Sequence, residues 1–262
     1  MRDDAFGQAI SVLCAAIPTI FKHEPRLVQA IGDYGAFAIV ISAVGIADKG
    51  DGQFTFAAIQ AIVVPRGWAS SRRTRALIDW LEWTGAALRH PPRKDSRERP
   101  WSLSGWLPVA IARLARAYLV AVAPWRGDAD KPRTSENDPM VLDALVTSLS
   151  RLVRAASPAF IAGAQMRLFA DHAAGFPILL EIVGACRSTD PPVNRVLFSR
   201  KAVSRTYNVS RAHVTAILAK AERSNMLVRD GNEIIVTESM SVQILHDLAC
   251  QLAIVVLIVR EV

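Results

Sequence analysis

Cysteine is scarce in this chain, and the three present are far apart. Cys14, Cys186 and Cys250 each lie within an apolar helical run. An odd count at such spacing in a basic chain argues against a disulfide framework. Buried structural thiols are the plain reading. A redox-sensing cysteine is the sharper one, and it needs an exposed, low-pKa setting. Metal-ligand spacing is missing too, since His23, His90, His172, His213 and His246 form no ligand pattern. There is no glycine-rich phosphate loop, no Gly-x-Ser-x-Gly elbow and no Cys-x-x-Cys. These absences remove the usual catalytic constellations, so no enzyme, metal or cofactor is expected. Long apolar runs are also lacking. The longest near the end, residues 252–259, falls far short of the roughly 20 residues a bilayer span requires. Asp3 and Asp4 oppose a secretory leader. The expectation is a cytoplasmic protein with no membrane partner.

What the chain does have is positive charge, a net +7 over 262 residues, concentrated in residues 66–99 and 195–229. A clustered excess of this kind favours a polyanionic partner. The most informative stretch is residues 194–237. At its centre lies Ser199-Arg-Lys-Ala-Val-Ser-Arg-Thr-Tyr-Asn-Val-Ser-Arg-Ala-His-Val-Thr-Ala-Ile-Leu218. Ala202, Val203 and Ser204 supply the inner face of a first short helix. Asn208 suits a turn that needs positive φ. Ser210 is a good N-cap for a second helix with Val214, Ile217 and Leu218 on its inner face. Arg211, His213 and Thr215 then fall on the outer face near its N-terminus, where a recognition helix meets base edges. Two apolar runs flank Asp230-Gly231, a strong hairpin signal. Helix, turn, helix and hairpin in this order predict a winged helix-turn-helix.

A second copy lies upstream. Phe37-Ala-Ile-Val-Ile-Ser-Ala-Val-Gly45 matches Phe176-Pro-Ile-Leu-Leu-Glu-Ile-Val-Gly184 at a shift of 139 (176 − 37). Ser70, Ala76, Leu77, Glu82 and Arg89 match Ser210, Ala216, Ile217, Glu222 and Arg229 at a shift of 140 (210 − 70). Two blocks in order at nearly one shift point to an internal duplication. The upstream unit is predicted as a first helix over residues 54–63, a recognition helix over 70–83 and a hairpin over 87–103. Residues 126–139, mixed in charge and rich in breakers, read as a linker between an N-terminal unit (1–125) and a C-terminal unit (140–262).

The upstream hairpin carries Asp95-Ser-Arg97-Glu-Arg-Pro-Trp101-Ser-Leu103-Ser104. This resembles the wing signature of the multiple-antibiotic-resistance-regulator (MarR) type of repressor, with Ser104 in place of a Thr. The resemblance implies that Arg97 enters a minor groove. It also implies that terminal helices (residues 4–20, 104–122, 140–155 and 239–259) form a dimerisation layer. A small aromatic effector would then bind between that layer and the winged units. The second wing lacks the Asp-x-Arg element, and Pro65-Arg-Gly-Trp68 interrupts the first turn. Trp68, Trp80, Trp83, Trp101, Trp106 and Trp125 all fall in the first half. The spacing of Trp80 and Trp83 favours core packing, with an effector pocket as the alternative.

The expected fold is mainly α with small β-hairpin wings: two tandem winged helix-turn-helix units joined by a helical, dimerisation-like layer. The expected function is a sequence-specific double-stranded-DNA-binding transcriptional regulator, a repressor acting at the bacterial nucleoid as a monomeric pseudo-dimer or a homodimer. DNA contacts are expected from Ser70, Ser71, Arg72, Arg73 and Arg75 on the first recognition helix and from Arg93, Lys94, Arg97 and Arg99 in the first wing. The second unit would contribute Arg200, Lys201, Arg205, Ser210, Arg211, His213 and Thr215, with Arg229 and Asn232 in its wing. Two alternatives stay open. One is a plasmid-type replication initiator with two winged-helix domains. The other is a tandem winged-helix module for protein interaction.

Overall fold

Short hydroxyl side chains set where the central helices begin. Thr55, Ser70, Ser199 and Ser210 hold extended backbone, and each accepts a hydrogen bond from the amide three residues on. Such caps satisfy one orphan N–H of the first turn and are worth about 1 kcal/mol each. The computed structural model describes residues 2–92, 98–125, 139–154, 163–187 and 194–260.

The first half runs α1 (Arg2–His23), α2 (Leu27–Ile31), α3 (Tyr34–Lys49), α4 (Phe56–Val63), α5 (Ser71–Trp83), β1 (Ala87–Arg89), β2 (Trp101–Leu103) and α6 (Trp106–Val122). The second runs α7 (Pro139–Arg154), α8 (Ala164–Ala170), α9 (Gly175–Arg187), β3 (Arg195–Leu197), α10 (Arg200–Thr206), α11 (Arg211–Arg223), β4 (Leu227–Asp230), β5 (Glu233–Val236) and α12 (Glu238–Arg260). The protein is therefore mainly helical, with two small antiparallel sheets among the described residues. β1 pairs with β2, with Ala87 opposite Leu103, and the second sheet has the order β3-β5-β4. Phe54 bridges to Trp101 where β3 stands in the second half. Phe54 thus lies in extended backbone before the Thr55 cap, and not in the helix predicted from residue 54.

The two halves repeat one element order, and the repetition reaches individual hydrogen bonds. Gly85 (φ 72°) and Asn225 (φ 54°) take the left-handed conformation after α5 and α11. Their amides reach Glu82 and Glu222, and the following amides reach Leu81 and Ala221. The hydroxyls of Ser104 and Thr237 donate to the carbonyls of Gly85 and Asn225. The buried faces repeat at the same spacing: Thr74, Leu77, Ile78 and Leu81 on α5, and Val214, Ile217, Leu218 and Ala221 on α11. Each large aliphatic among them contributes roughly 1.5–3 kcal/mol by leaving water. The turn at Pro65-Arg-Gly-Trp68 is longer than its counterpart but closes the same way. Gly67 (φ 66°) stands for Asn208 (φ 52°). The amides of Trp68 and Val209 return to Val63 (3.1 Å) and Ser204 (3.0 Å). Ala202 departs from its predicted inner position, since α10 buries Val203 and Ser204 and leaves Ala202 exposed.

The long helices form a layer that ties the halves together. α1 packs on α6 and on α9 of the other half, and α7 packs reciprocally on α3, α6 and α12. Lys22 on α1 pairs with Glu181 on α9 at 2.7 Å. Gly184 permits this approach, because a Cβ there would stand 3.0 Å from the Cβ of Cys14. Among the described residues three helical segments, Ala5–His23, Trp106–Trp125 and Glu238–Arg260, are long and apolar enough to cross a membrane by length and composition. None of them is an uninterrupted apolar run, because their polar residues are spaced along the helix. In this fold α1, α6 and α12 set their apolar stripes against other helices.

Candidate nucleic-acid interface

Arg211 opens α11 and is exposed, with its helix anchored by the Ser210 cap (His213 N–H to Oγ, 3.0 Å). Arg200, Lys201 and Arg205 on α10 are exposed beside it. A cleft runs between these helices and the second hairpin, lined by Leu197, Phe198, Ser199, Arg200, Lys201, Arg211, Thr215 and Asn232. Asn232 is exposed at the hairpin tip, and its carbonyl accepts from the Phe198 amide at 2.8 Å. The structure thus brings five sequence-predicted residues of the second unit together in this cleft, Arg200, Lys201, Arg211, Thr215 and Asn232, while Arg205 is exposed on α10 and Ser210 serves as the α11 cap. Thr215 is half-buried at the floor of the cleft.

Other predicted contacts are engaged elsewhere. His213 turns inward, with its Nε2 2.9 Å from the Ala173 carbonyl and its ring edge-on to His172 at 5.9 Å. Arg73, at the equivalent position of α5, reaches Asp33 at 2.5 Å. Both residues therefore fasten the start of α5 or α11 to the residues leading into α3 or α9. Helical spacing alone had put them on the outer face. Arg75 lies over the Phe56 ring at 3.9 Å and near Trp101 at 5.7 Å. Arg229 is half-buried and grips Glu222, whose Oε2 accepts from Nε at 2.8 Å and from Nη2. The hydrogen bond from Arg229 holds the Glu222 carboxyl below the usual carboxylate range. Arg229 is thus a brace for the hairpin, held to a neighbouring carboxylate.

In the first unit, Ser70 caps α5 and Ser71 accepts from Gln60 at 3.1 Å. Arg72 and Arg99 are exposed. Arg93, Lys94 and Arg97, with Asp95, lie outside the described residues. Arg195, not among the expected contacts, joins the second hairpin through Glu233 (2.5 Å) and Asp230 (3.5 Å). The signal was the opposite charge on strands that a three-stranded sheet brings side by side.

A cavity of about 170 Å³ lies among helices of both halves, α1, α3 and α6 on one side and α7, α8, α9 and α12 on the other. Ile17, Phe21, Tyr34, Phe37, Leu114, Tyr118, Leu149, Met166 and Val255 line it, with Asp33 and Gln251 among the few polar groups. Tyr118 donates to Gln251 Oε1 at 3.2 Å, and burial pushes its phenol above the ordinary tyrosine range. No tryptophan is among the lining residues, so the tryptophans do not form this pocket. Trp80 packs edge-on to Trp106 at 6.2 Å, whereas Trp83 is 82% exposed, against the expectation that both fill the core. Cys14 is buried, which pushes its thiol up to about 12, and burial also raises Cys186. Among the described residues no group of three or more His, Cys, Asp or Glu is placed to hold a metal ion.

The chain matches no protein-family model, no curated protein and no solved structure.

Proposed function

We propose that the chain is a sequence-specific double-stranded-DNA-binding regulator, built from two tandem winged helix-turn-helix units in one pseudo-dimer. The observation that carries this reading is the exposed cation cluster Arg200, Lys201, Arg205 and Arg211, set on two helices joined by a tight turn and flanked by a hairpin. That order of elements presents the start of one helix to a major groove and a hairpin to the neighbouring backbone or minor groove. The repeated unit upstream supports two such heads per chain. Reading helices related by an approximate two-fold suit successive major grooves roughly 34 Å apart. Repression in the cytoplasm follows as the simplest mode, by occupying an operator. The apolar cavity beside Asp33 supports control by a small effector with one hydrogen-bonding end.

Binding to a duplex carrying a preferred site should weaken steeply with ionic strength, since each neutralised phosphate releases counterions. A flat salt response, or no binding to any duplex at low salt, would sink the reading. A protein-interaction role has one observation in its favour. Trp83 and Leu88 are 82% and 56% exposed on the first unit, where the second carries Arg223 and Val228. Exposed aromatics often anchor protein interfaces.

A further inference from the structure

We propose that the two heads grip DNA unequally: the backbone phosphates are held in the cleft of the second unit, while the corresponding place in the first unit is filled by the chain's own side chains. This rests on the DNA-binding reading above.

In the second unit the cleft is open and carries Arg200, Lys201 and Arg211 around the hydroxyls of Ser199 and Thr215. Three cations beside two hydroxyls suit a phosphodiester, which offers charge and hydrogen-bond acceptors together. Aligning the caps, Thr55 with Ser199 and Ser70 with Ser210, gives the first unit's equivalents. Helix α4, Phe56-Ala-Ala-Ile-Gln-Ala-Ile-Val63, carries no cation where α10 carries Arg200, Lys201 and Arg205. Phe56 stands at the position of Arg200, and Ser71 at that of Arg211. Arg75 replaces Thr215, and its guanidinium lies over Phe56 at 3.9 Å, across the space that is open in the second unit. The Ala57 amide, at the start of α4, already donates to a carboxylate, Glu98 Oε1, at 3.2 Å. An acid of the chain thus already occupies the amide that an incoming phosphate would approach. Arg73, the remaining cation of the first turn of α5 besides Arg72, is paired with Asp33.

The test is ethylation interference with the unmodified full chain on a duplex selected for tight binding. The proposal expects the phosphates whose ethylation blocks binding to cluster on one half of the site. The Arg200→Ala/Lys201→Ala variant alters only exposed side chains. It should abolish that cluster and reduce the slope of log affinity against log salt by about two. Equal interference on both halves, or an unchanged salt slope in the variant, overturns the proposal while leaving DNA binding intact. Failure to bind any duplex removes the DNA-binding reading and this proposal with it.

Discussion

Asp33 does two jobs that substitutions can separate. Its Oδ1 accepts the Ala36 amide at 3.1 Å and caps the sixteen-residue helix α3, while Oδ2 pairs with Arg73 at 2.5 Å. Removing an Asp cap costs about 1 kcal/mol. The ion pair contributes less, because the Arg73 side chain is 47% exposed and water screens it, so a few tenths to about 1 kcal/mol is its range. Asp33→Ala should therefore destabilise by about 1.5 kcal/mol, and Asp33→Asn, which retains the cap, by well under 1 kcal/mol. For a chain of this size each kcal/mol moves the melting temperature by about 2–4 °C. Thermal unfolding followed by circular dichroism should thus give a drop of about 3–6 °C for Asp33→Ala. Asp33→Asn should lose no more than about 2 °C, and adding Arg73→Met to it should cost little more, since the pair is already broken. Equal losses for Asp33→Asn and Asp33→Ala would refute the assignment of most of the effect to the cap.

Three further outcomes follow from the geometry. Gly35→Ala would place a Cβ 2.6 Å from the Trp68 carbonyl and 3.1 Å from Arg73 Nη1. Backbone cannot yield as a side-chain tip can, so a loss of about 1–3 kcal/mol in chemical denaturation is expected; a neutral substitution would mean that the turn adjusts freely. The Cys14 thiol, raised by burial from 9.0 to about 12, keeps its proton in the folded chain when the unfolded chain has lost it. Above pH 9 the unfolded state therefore binds fewer protons, and stability falls as pH rises towards 12. Cys14→Ala should flatten this alkaline decline, and Ellman's reagent should modify Cys14 only on unfolding; rapid native labelling would contradict its burial. Arg211→Ala should weaken binding at one half-site by roughly 1–3 kcal/mol with little change in stability. His213→Ala should instead cost about 1 kcal/mol of stability through its bond to Ala173, and the reverse pattern in melting and titration would undo the assignment of the two residues.

Local signals were legible in the sequence wherever one residue determines a backbone feature. The Ser70 and Ser210 caps, the left-handed Asn208 and the Asp230-Gly231 hairpin are of this kind, and the 140-residue shift extended them to both halves. Long-range partners were not legible. Nothing near Arg73 announces Asp33, forty residues earlier, and helical periodicity places His213 outside without revealing that the turn at Ala173 folds against it. The crossing of α1 onto α9 was hidden for another reason. A helix apolar over most of its circumference does not state which of its faces meets which neighbour. Arg75 and Arg229 illustrate the same limit in the candidate site. Their charge suggested DNA, while Phe56 and Glu222 engage them.

The most direct test of the central claim is the mass of the complex formed on a duplex selected by the full chain from a random pool. Enrichment of a site about two helical turns long, with two unlike halves, occupied by a single chain, is the expected result. No enrichment at low salt would contradict DNA reading itself. Two chains bound symmetrically to a perfect palindrome, each using one head, would contradict the single-chain pair of reading heads.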